Sequence, residues 1–273
     1  MKRITTDRAL PRLVRGAVPV LLLLVLSCGN SEANGKPTSN PAERAKYYGR
    51  TSPGAYLMGR FSPSRHEKFV TLKSLGIPGN GRTHRLRREA AVDLRRMYLA
   101  FRKAHPGVPF RVISSTRPFY TQKSIWERKW NGKRRVEGLI LTRSHPNHYK
   151  RGLKILRFSS MPGTSRHHWG TDFDITALNN NYFKSGKGKV LYDWLRANAG
   201  RYGFCQPYTA GRNKGYQEER WHWSYMPLAR RFLRDWMAIY GRNTKLLSGK
   251  FAGAKTMHVK APEYVTAISS SCR

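Results

Sequence analysis

The chain has 273 residues, of which 39% are hydrophobic, and it contains seven Trp, 14 Tyr and 11 Phe. Disordered chains are poor in aromatic residues, so this composition excludes a disordered protein and fits one domain with a sizeable core, or two small ones. The 52 Lys and Arg against 15 Asp and Glu give a net charge of +37, and the three cysteines form no CxxC motif. A metal site built from cysteines is therefore not expected.

The first residues are typical of an export signal. A basic segment precedes the apolar run AVPVLLLLVL, residues 17–26, which is too short to span a membrane. The following VLSCGN resembles the cleavage site of bacterial lipoproteins, with Cys28 as the lipidated residue; an ordinary cleavage near Ser27 is the alternative. We therefore predict a signal peptide over 1–27, a flexible tether over 28–48, and an exported protein that a lipid on Cys28 anchors in the periplasm or cell envelope.

An exported location affects which partners the basic surface can meet and whether the two remaining cysteines can form a disulfide. A basic surface attracts polyanions, which outside the cytoplasm are envelope polymers and lipid head groups; nucleic acid is not expected, and simple solvation of Lys and Arg is the alternative. In an oxidising compartment Cys205 and Cys272 are an even pair. A disulfide that ties the C-terminus to the domain and two free thiols are both open at this point.

Helical and strand patterns alternate over residues 49–245, where we predict one compact domain, and a weakly patterned tail follows over 246–273. The elements are expected in the order helix from Arg85, strand 109–115, helix FYTQKSIWERKW after Pro118, mostly loop 132–163, strand TDFDIT, helix 188–204 ending at Gly203, strands FCQPY and ERWHWSY, and helix from Pro227. This order lacks a regular βαβ rhythm, so it predicts an α+β fold.

Two short windows concentrate side chains that bind metals. They are TSRHHWGTDFDIT, with His167, His168, Asp172 and Asp174, and EERWHWSY, with Glu218, Glu219 and His222. In so basic a chain, a local excess of carboxylate and imidazole indicates a cation. Catalytic zinc takes three protein ligands and activates a water in the fourth position. His167, Asp174 and His222 can be the ligands, and Glu219 can be the base that takes the proton of the water.

The two windows resemble the metal motifs of a known family. SRHHWGTDFD matches S-x-H-x-x-G-x-x-x-D and ERWH matches E-x-x-H, as in the zinc D-alanyl-D-alanine carboxypeptidases of the VanY type, a branch of the M15 peptidases. The resemblance implies the same ligands and base, and an M15/hedgehog-like fold in which helices flank a small antiparallel sheet. Asp172 stands where the family has a small residue and shares a strand face with Asp174, which motif position favours as the ligand.

Strand geometry constrains the base and the second histidine. On a regular strand Glu219 and His222 would face opposite sides, so Glu219 must precede the strand or lie in a bulge. His168 is expected to point away from His167 and to be a core or supporting residue.

A third motif, SSTRPFYTQ, resembles the S-x-x-R segment of the same family, with Gln five residues after Arg. The resemblance implies that Arg117 contacts the carbonyl or carboxylate of the substrate, that Gln122 helps to hold the peptide, and that Ser165 binds its terminal carboxylate. A planar guanidinium can grip a carboxylate or stabilise an oxyanion.

The resemblance implies that these residues form the site of a monomeric zinc metallopeptidase, which removes the terminal D-Ala of peptidoglycan stem peptides and thereby limits crosslinking of the cell wall. Two alternatives are open. One is an endopeptidase of the same fold that cuts another bond of the stem. The other is a basic lipoprotein that binds envelope polymers without catalysis, against which Glu219 speaks because a binder needs no base.

Overall fold

A computed structural model describes residues 40–273. The predicted signal peptide, Cys28 and the first part of the predicted tether lie outside the described residues. Within the described part of the chain, every helix is too short or too polar to cross a bilayer.

Helices account for most of the regular structure between residues 40 and 273. They are α1 (Pro41–Tyr48), α2 (Pro53–Leu57), α3 (Arg88–Ala104), α4 (Phe119–Trp130), α5 (Leu141–Ser144), α6 (His148–Ile155), α7 (Gly186–Asn198), α8 (Met226–Trp236), α9 (Ala254–Met257) and α10 (Ala261–Thr266). In α3 the residues that face the core recur every three or four positions, as the sequence pattern predicts: Ala90, Ala91, Leu94, Met97 and Phe101. Basic residues occupy most of the opposite face.

The strands form two antiparallel sheets. In the smaller sheet β1 (Phe69–Thr71) pairs with β2 (Arg85–Arg87). The larger sheet contains β3 (Val112–Ser114), β4 (Asp172–Ile175), β5 (Phe204–Cys205) and β6 (His222–Tyr225), in the spatial order β3-β4-β6-β5. Small antiparallel sheets flanked by helices confirm the predicted α+β class.

The central strands β4 and β6 are buried along their whole length. Their antiparallel register sets Asp174 beside His222 and Asp172 beside Ser224. Because side chains alternate along a strand, these four polar residues share one face, while Phe173 between them packs into the core on the other. The sheet therefore brings two sequence windows, about 50 residues apart, into one polar row.

Three connecting regions differ from the sequence-based expectation. Helix α1 lies inside the predicted tether, and its last residue, Tyr48, is fully buried. Helices α5 and α6 occupy part of residues 132–163, which were expected to be mostly loop. Strand β2 precedes α3, where the pattern predicted helix from Arg85 onward. These elements span three to eight residues, too few for apolar periodicity to identify them.

The tail, residues 246–273, is more ordered than its weak pattern indicated, since it contains α9 and α10. A disulfide joins Cys205 of β5 to Cys272, with Cα atoms 5.6 Å apart. The backbone N–H of Ser269 also donates a hydrogen bond to the carbonyl of Pro207 at 2.8 Å. The tail is thus fixed beside the segment that follows β5.

Candidate metal centre

The three residues predicted as metal ligands converge from separate parts of the chain. His167 lies in a short 3-10 turn before β4, Asp174 in β4, and His222 at the start of β6. One possible ligand atom from each lies within 4.8 Å of the others, and all three side chains are buried. Gly170 ends the turn at φ 74°, where a Cβ would lie 2.4 Å from the ring of Phe69. We refer to His167, Asp174 and His222 as the metal group.

The hydrogen bonds of the two imidazoles fix which nitrogen faces the group. Nδ1 of His167 is 2.9 Å from the carbonyl oxygen of Ser115, which can only accept, so Nε2 carries the lone pair and lies 3.3 Å from Oδ2 of Asp174. Nε2 of His222 likewise donates to Oδ2 of Asp172 at 2.8 Å, and Nδ1 lies 3.1 Å from Oδ1 of Asp174. Both rings therefore present one nitrogen to the same carboxylate.

The hydrogen bonding of Asp174 indicates whether a cation fits between these atoms. Oδ1 of Asp174 is buried and accepts no hydrogen bond from any residue of the described part of the chain. A buried carboxylate oxygen without a donor is costly. A divalent cation would satisfy it, and two imidazoles with one carboxylate are a set that zinc uses. The residues present therefore fit a metal ion.

The protonation of the two imidazoles differs. Burial lowers the pKa of His167, which favours the neutral ring that a metal ligand requires. Although burial lowers the pKa of His222, its hydrogen bond to Asp172 and the nearby carboxylate of Asp174 raise it to about 10. Metal binding must therefore release the proton on Nδ1 of His222.

Glu219 borders the metal group from the loop before β6. The strand begins at His222, so Glu219 precedes it, which is one of the two placements that strand geometry allowed. Its Oε2 lies 3.5 Å from Nδ1 of His222. The pKa of Glu219 is raised to about 8, mainly by burial; the charge of Asp174 contributes to the rise, and His222 and Arg117 oppose it. A carboxyl with such a pKa can take up and return a proton near neutral pH.

Arg117 approaches the metal group from the segment between β3 and α4. One terminal nitrogen lies 3.9 Å from Oδ2 of Asp174 and donates to the hydroxyl of Ser114 at 2.8 Å. The other donates to Oε1 of Gln122 at 2.6 Å, and the side-chain NH2 of Gln122 donates to the carbonyl of Ser160 at 2.6 Å. Since Gln122 is fully buried and uses both ends of its amide inside the protein, it holds Arg117 in place.

Ser165 and His168 lie away from the cavity wall. Ser165 is buried, and its carbonyl accepts the backbone N–H of His168 at 3.0 Å. Nδ1 of His168 is 2.6 Å from the carbonyl oxygen of Arg117, and Nε2 accepts the N–H of Gly163 at 3.0 Å. Burial lowers the pKa of His168 to about 3. The neutral ring of His168 thus supports the backbone of Arg117, as expected of a residue that points away from the metal.

A second buried cluster lies behind His222 and was not foreseen as a unit. Asp172 accepts four hydrogen bonds, from Nε of Arg166 at 3.0 Å, Nε2 of His222 at 2.8 Å, and the hydroxyls of Thr171 at 2.6 Å and Ser224 at 2.8 Å. Although burial raises it, Arg166 and His222 hold the pKa of Asp172 below its ordinary value. We call Asp172, Arg166, Thr171 and Ser224 the Asp172 cluster.

Within the Asp172 cluster, Asp172 accepts a hydrogen bond from Nε2 of His222, the ring nitrogen that faces away from the metal group. A carboxylate that accepts the second N–H of a ligating histidine fixes the ring and increases its basicity. The signal in the sequence was the spacing of two residues in both windows, Asp172 to Asp174 and His222 to Ser224, which antiparallel pairing turns into adjacent pairs.

A cavity of about 460 Å³ adjoins the metal group and Glu219. Its wall also contains cationic and aromatic side chains: Arg117, Lys129, Arg134, Phe158, Tyr208, Tyr216 and Trp221. The ring of Tyr208 packs against that of His222, with centroids 4.8 Å apart. A cleft of this size with apolar walls and a few polar groups at one end is typical of a site for a small ligand or a peptide end.

Comparison with known proteins decides the family. The model of the VanY D-alanyl-D-alanine carboxypeptidase family matches residues 83–228, which is more than half of the chain and contains every predicted site residue. The chain belongs to the VanY family. The predicted resemblance is therefore confirmed, and with it the prediction that the protein is an enzyme, a metallo-carboxypeptidase. No curated protein sequence matches the chain.

Several solved structures are similar to this VanY family member. One is the LdcB LD-carboxypeptidase, 22% identical over 65% of this chain and 75% of that chain, with a TM-score of 0.47. Another is a mutant of the vancomycin resistance D,D-pentapeptidase VanY in complex with Zn(II), 23% identical over 57% of this chain and 82% of that chain, with a TM-score of 0.42. A third is VanYB in complex with D-alanine-D-alanine, 21% identical over 60% and 83%, with a TM-score of 0.41.

Proposed function

We propose that the protein is a zinc-dependent D,D-carboxypeptidase that hydrolyses the terminal D-Ala of peptidoglycan stem peptides. The observation that carries this proposal is the convergence of His167, Asp174 and His222, with one possible ligand atom of each within 4.8 Å of the others, in the wall of a cavity of about 460 Å³. Membership of the VanY family supports the choice of substrate.

Each side chain has a distinct part in this proposal. When bound, zinc polarises a carbonyl and lowers the pKa of water toward about 7. Glu219 takes the proton from the attacking water and returns it to the leaving amine. Arg117, held by Ser114 and Gln122, donates hydrogen bonds to the substrate oxygen on which negative charge develops.

The proposal includes export and a lipid anchor on Cys28, with signal cleavage after residue 27. The Cys205–Cys272 disulfide supports an oxidising compartment, because such bonds are rare in the cytosol. Mass spectrometry of the membrane fraction should detect a diacylated Cys28 as the mature N-terminus. An unmodified N-terminus near residue 28 would instead indicate an ordinary signal peptide.

The test of the activity is D-alanine release from a pentapeptide ending in D-Ala-D-Ala, with zinc-loaded full-length protein. The Glu219→Gln variant should lose about 10²–10⁴-fold in kcat, the usual contribution of a general base, while it keeps its zinc. Glu218→Gln is the matched control, because Glu218 is the adjacent carboxylate, forms an ion pair with Arg220 and lies outside the metal-site cavity.

Two results would contradict the proposal. Zinc-loaded protein that releases no D-alanine but cuts within the stem would be an endopeptidase. Equal activities of Glu219→Gln and Glu218→Gln would remove Glu219 from the mechanism.

A further inference from the structure

One ammonium group in the wall of the metal-site cavity has no anionic partner in the described part of the chain. Lys129 lies in the last turn of α4 and lines the cavity together with Glu219 and His222. Its Nζ donates a hydrogen bond to the hydroxyl of Ser159. Among residues 40–273, no carboxylate lies within ion-pair distance of this nitrogen. In contrast, Lys123 on the same helix pairs with Glu127 at 3.7 Å.

The surroundings of Lys129 are unfavourable for a lone cation. Its pKa is lowered to about 8, mainly by burial and in addition by the positive charges of Arg134 and Arg117, against the opposing effect of Glu219. Arg117 and Arg134 line the same cavity. A partly buried cation beside two others costs free energy unless an anion enters the site.

The other groups near Lys129 do not provide that anion. Asp174 is directed at the two imidazoles of the metal group, and Glu219 lies 3.5 Å from His222. The hydroxyl of Ser159 is neutral and compensates only part of the desolvation of an ammonium. The missing partner must therefore come from outside the described chain.

We propose that Lys129 binds a carboxylate of the peptide substrate, with Arg134 adding positive charge on the same wall. This inference rests on the proposed peptidase function. Two carboxylates of a peptide could occupy the place: the free terminal carboxylate, or that of an acidic residue nearer the middle. Capture of the terminal carboxylate would make the enzyme strictly an exopeptidase.

The experiment compares three peptides that end in D-Ala-D-Ala: the free acid, its C-terminal amide, and a free acid in which the internal acidic residue is replaced by its amide. Binding is measured by calorimetry on zinc-loaded full-length protein carrying Glu219→Gln, so that no turnover is required. The same protein carrying Lys129→Met in addition is then compared. A hydrogen-bonded charge pair typically corresponds to about 10–100-fold in affinity.

The expected result is that Lys129→Met weakens binding of the free acid about 10–100-fold and leaves binding of one amidated peptide unchanged. If that peptide is the C-terminal amide, Lys129 holds the terminal carboxylate; if it is the internally amidated one, Lys129 holds the internal carboxylate. Lys129→Arg should restore most of the affinity. Lys123→Met, a charge removal on the same helix, should leave all three affinities unchanged.

Other results overturn the inference, and they differ from failure of the proposed function. Lys129 does not recognise a carboxylate if Lys129→Met lowers the affinity for all three peptides equally or for none of them. The same conclusion holds if the Glu219→Gln protein binds no peptide. Lys129→Gln, which retains a donor for Ser159, replaces Lys129→Met if thermal unfolding shows that the Met variant is misfolded. If peptides bind as expected but wild-type protein releases no D-alanine, the proposed function fails while the carboxylate site remains.

Discussion

Two aspartates on the same face of β4, two residues apart, have opposite surroundings. Asp172 accepts four hydrogen bonds, two on each of its carboxylate oxygens. Asp174 has the nitrogens of two imidazoles at 3.1 and 3.3 Å, yet its Oδ1 accepts no hydrogen bond from the described residues. Both carboxylates are buried, so the difference lies in how completely they are satisfied.

This difference indicates that the two aspartates have different roles, one structural and one in ligand binding. A buried polar group with all its partners rigidifies the structure, while one that lacks a partner marks a place for a ligand. His222 connects the two, because Nε2 contacts Asp172 and Nδ1 faces Asp174. Asp172 should therefore matter mainly for stability and ligand orientation, and Asp174 mainly for metal binding.

The largest effect is expected for Asp174→Asn, which removes the charge at the open position. Zinc contributes several kcal/mol of transition-state stabilisation, so its loss should lower kcat/KM by at least about 10³-fold. Zinc content after dialysis should fall in parallel with D-alanine release. Added zinc should raise the Tm of the wild type but not that of the variant, since only bound metal stabilises the fold. A variant that keeps its full zinc content would place the metal elsewhere.

An intermediate effect on the metal is expected for Asp172→Asn, with a larger effect on stability. Arg166 is buried and would lose the carboxylate of its ion pair, so the free energy of unfolding should fall by about 3–5 kcal/mol. Zinc affinity should fall about 10–100-fold because His222 is less firmly oriented. Urea unfolding of the metal-free protein and competition with a chelator measure the two quantities.

The comparison between the two aspartates would break down under one outcome. If Asp172→Asn left stability unchanged and Asp174→Asn unfolded the metal-free protein, the assignment of support to Asp172 and of metal binding to Asp174 would be reversed.

The smallest effect is expected for Ser224→Ala. This change removes one of the four donors to Asp172 and the acceptor for a terminal nitrogen of Arg166, so it should cost about 2 kcal/mol of unfolding free energy. Zinc affinity should change little because the hydrogen bond between Asp172 and His222 remains. A loss of zinc as large as that of Asp172→Asn would show that the cluster acts as one unit on the metal.

The metal group was predictable from sequence because its motifs specify both residue type and spacing. His167 and Asp174 lie in one motif, His222 and Glu219 in another, and antiparallel pairing of β4 with β6 needed only two recognisable strands. The alternation of side chains limited Glu219 to two placements, before the strand or in a bulge, and the structure has the first.

The supporting residues were not predictable in the same way. The role of Asp172 depends on the register of β4 against β6, which sets Ser224 beside it, and register is a property of the paired strands. Whether a carboxylate of the described chain lies near Lys129 depends on how α4 packs. The residues next to Lys129 in the sequence do not indicate that it lacks an ion-pair partner there. Helix α1 and the helices of the tail are stabilised by tertiary contacts, such as the buried ring of Tyr48, rather than by apolar periodicity.

The bond between Cys205 and Cys272 has a practical consequence for work on this enzyme. It links positions 67 residues apart and holds the tail next to the segment that leads from β5 to Tyr208. A thiol additive strong enough to reduce this buried disulfide would release the tail, and its thiolate would also compete for zinc. Protein produced in a reducing cytosol would lack this link, so its activity would not report on the active site alone. Kinetic measurements therefore require oxidatively folded protein in thiol-free solution.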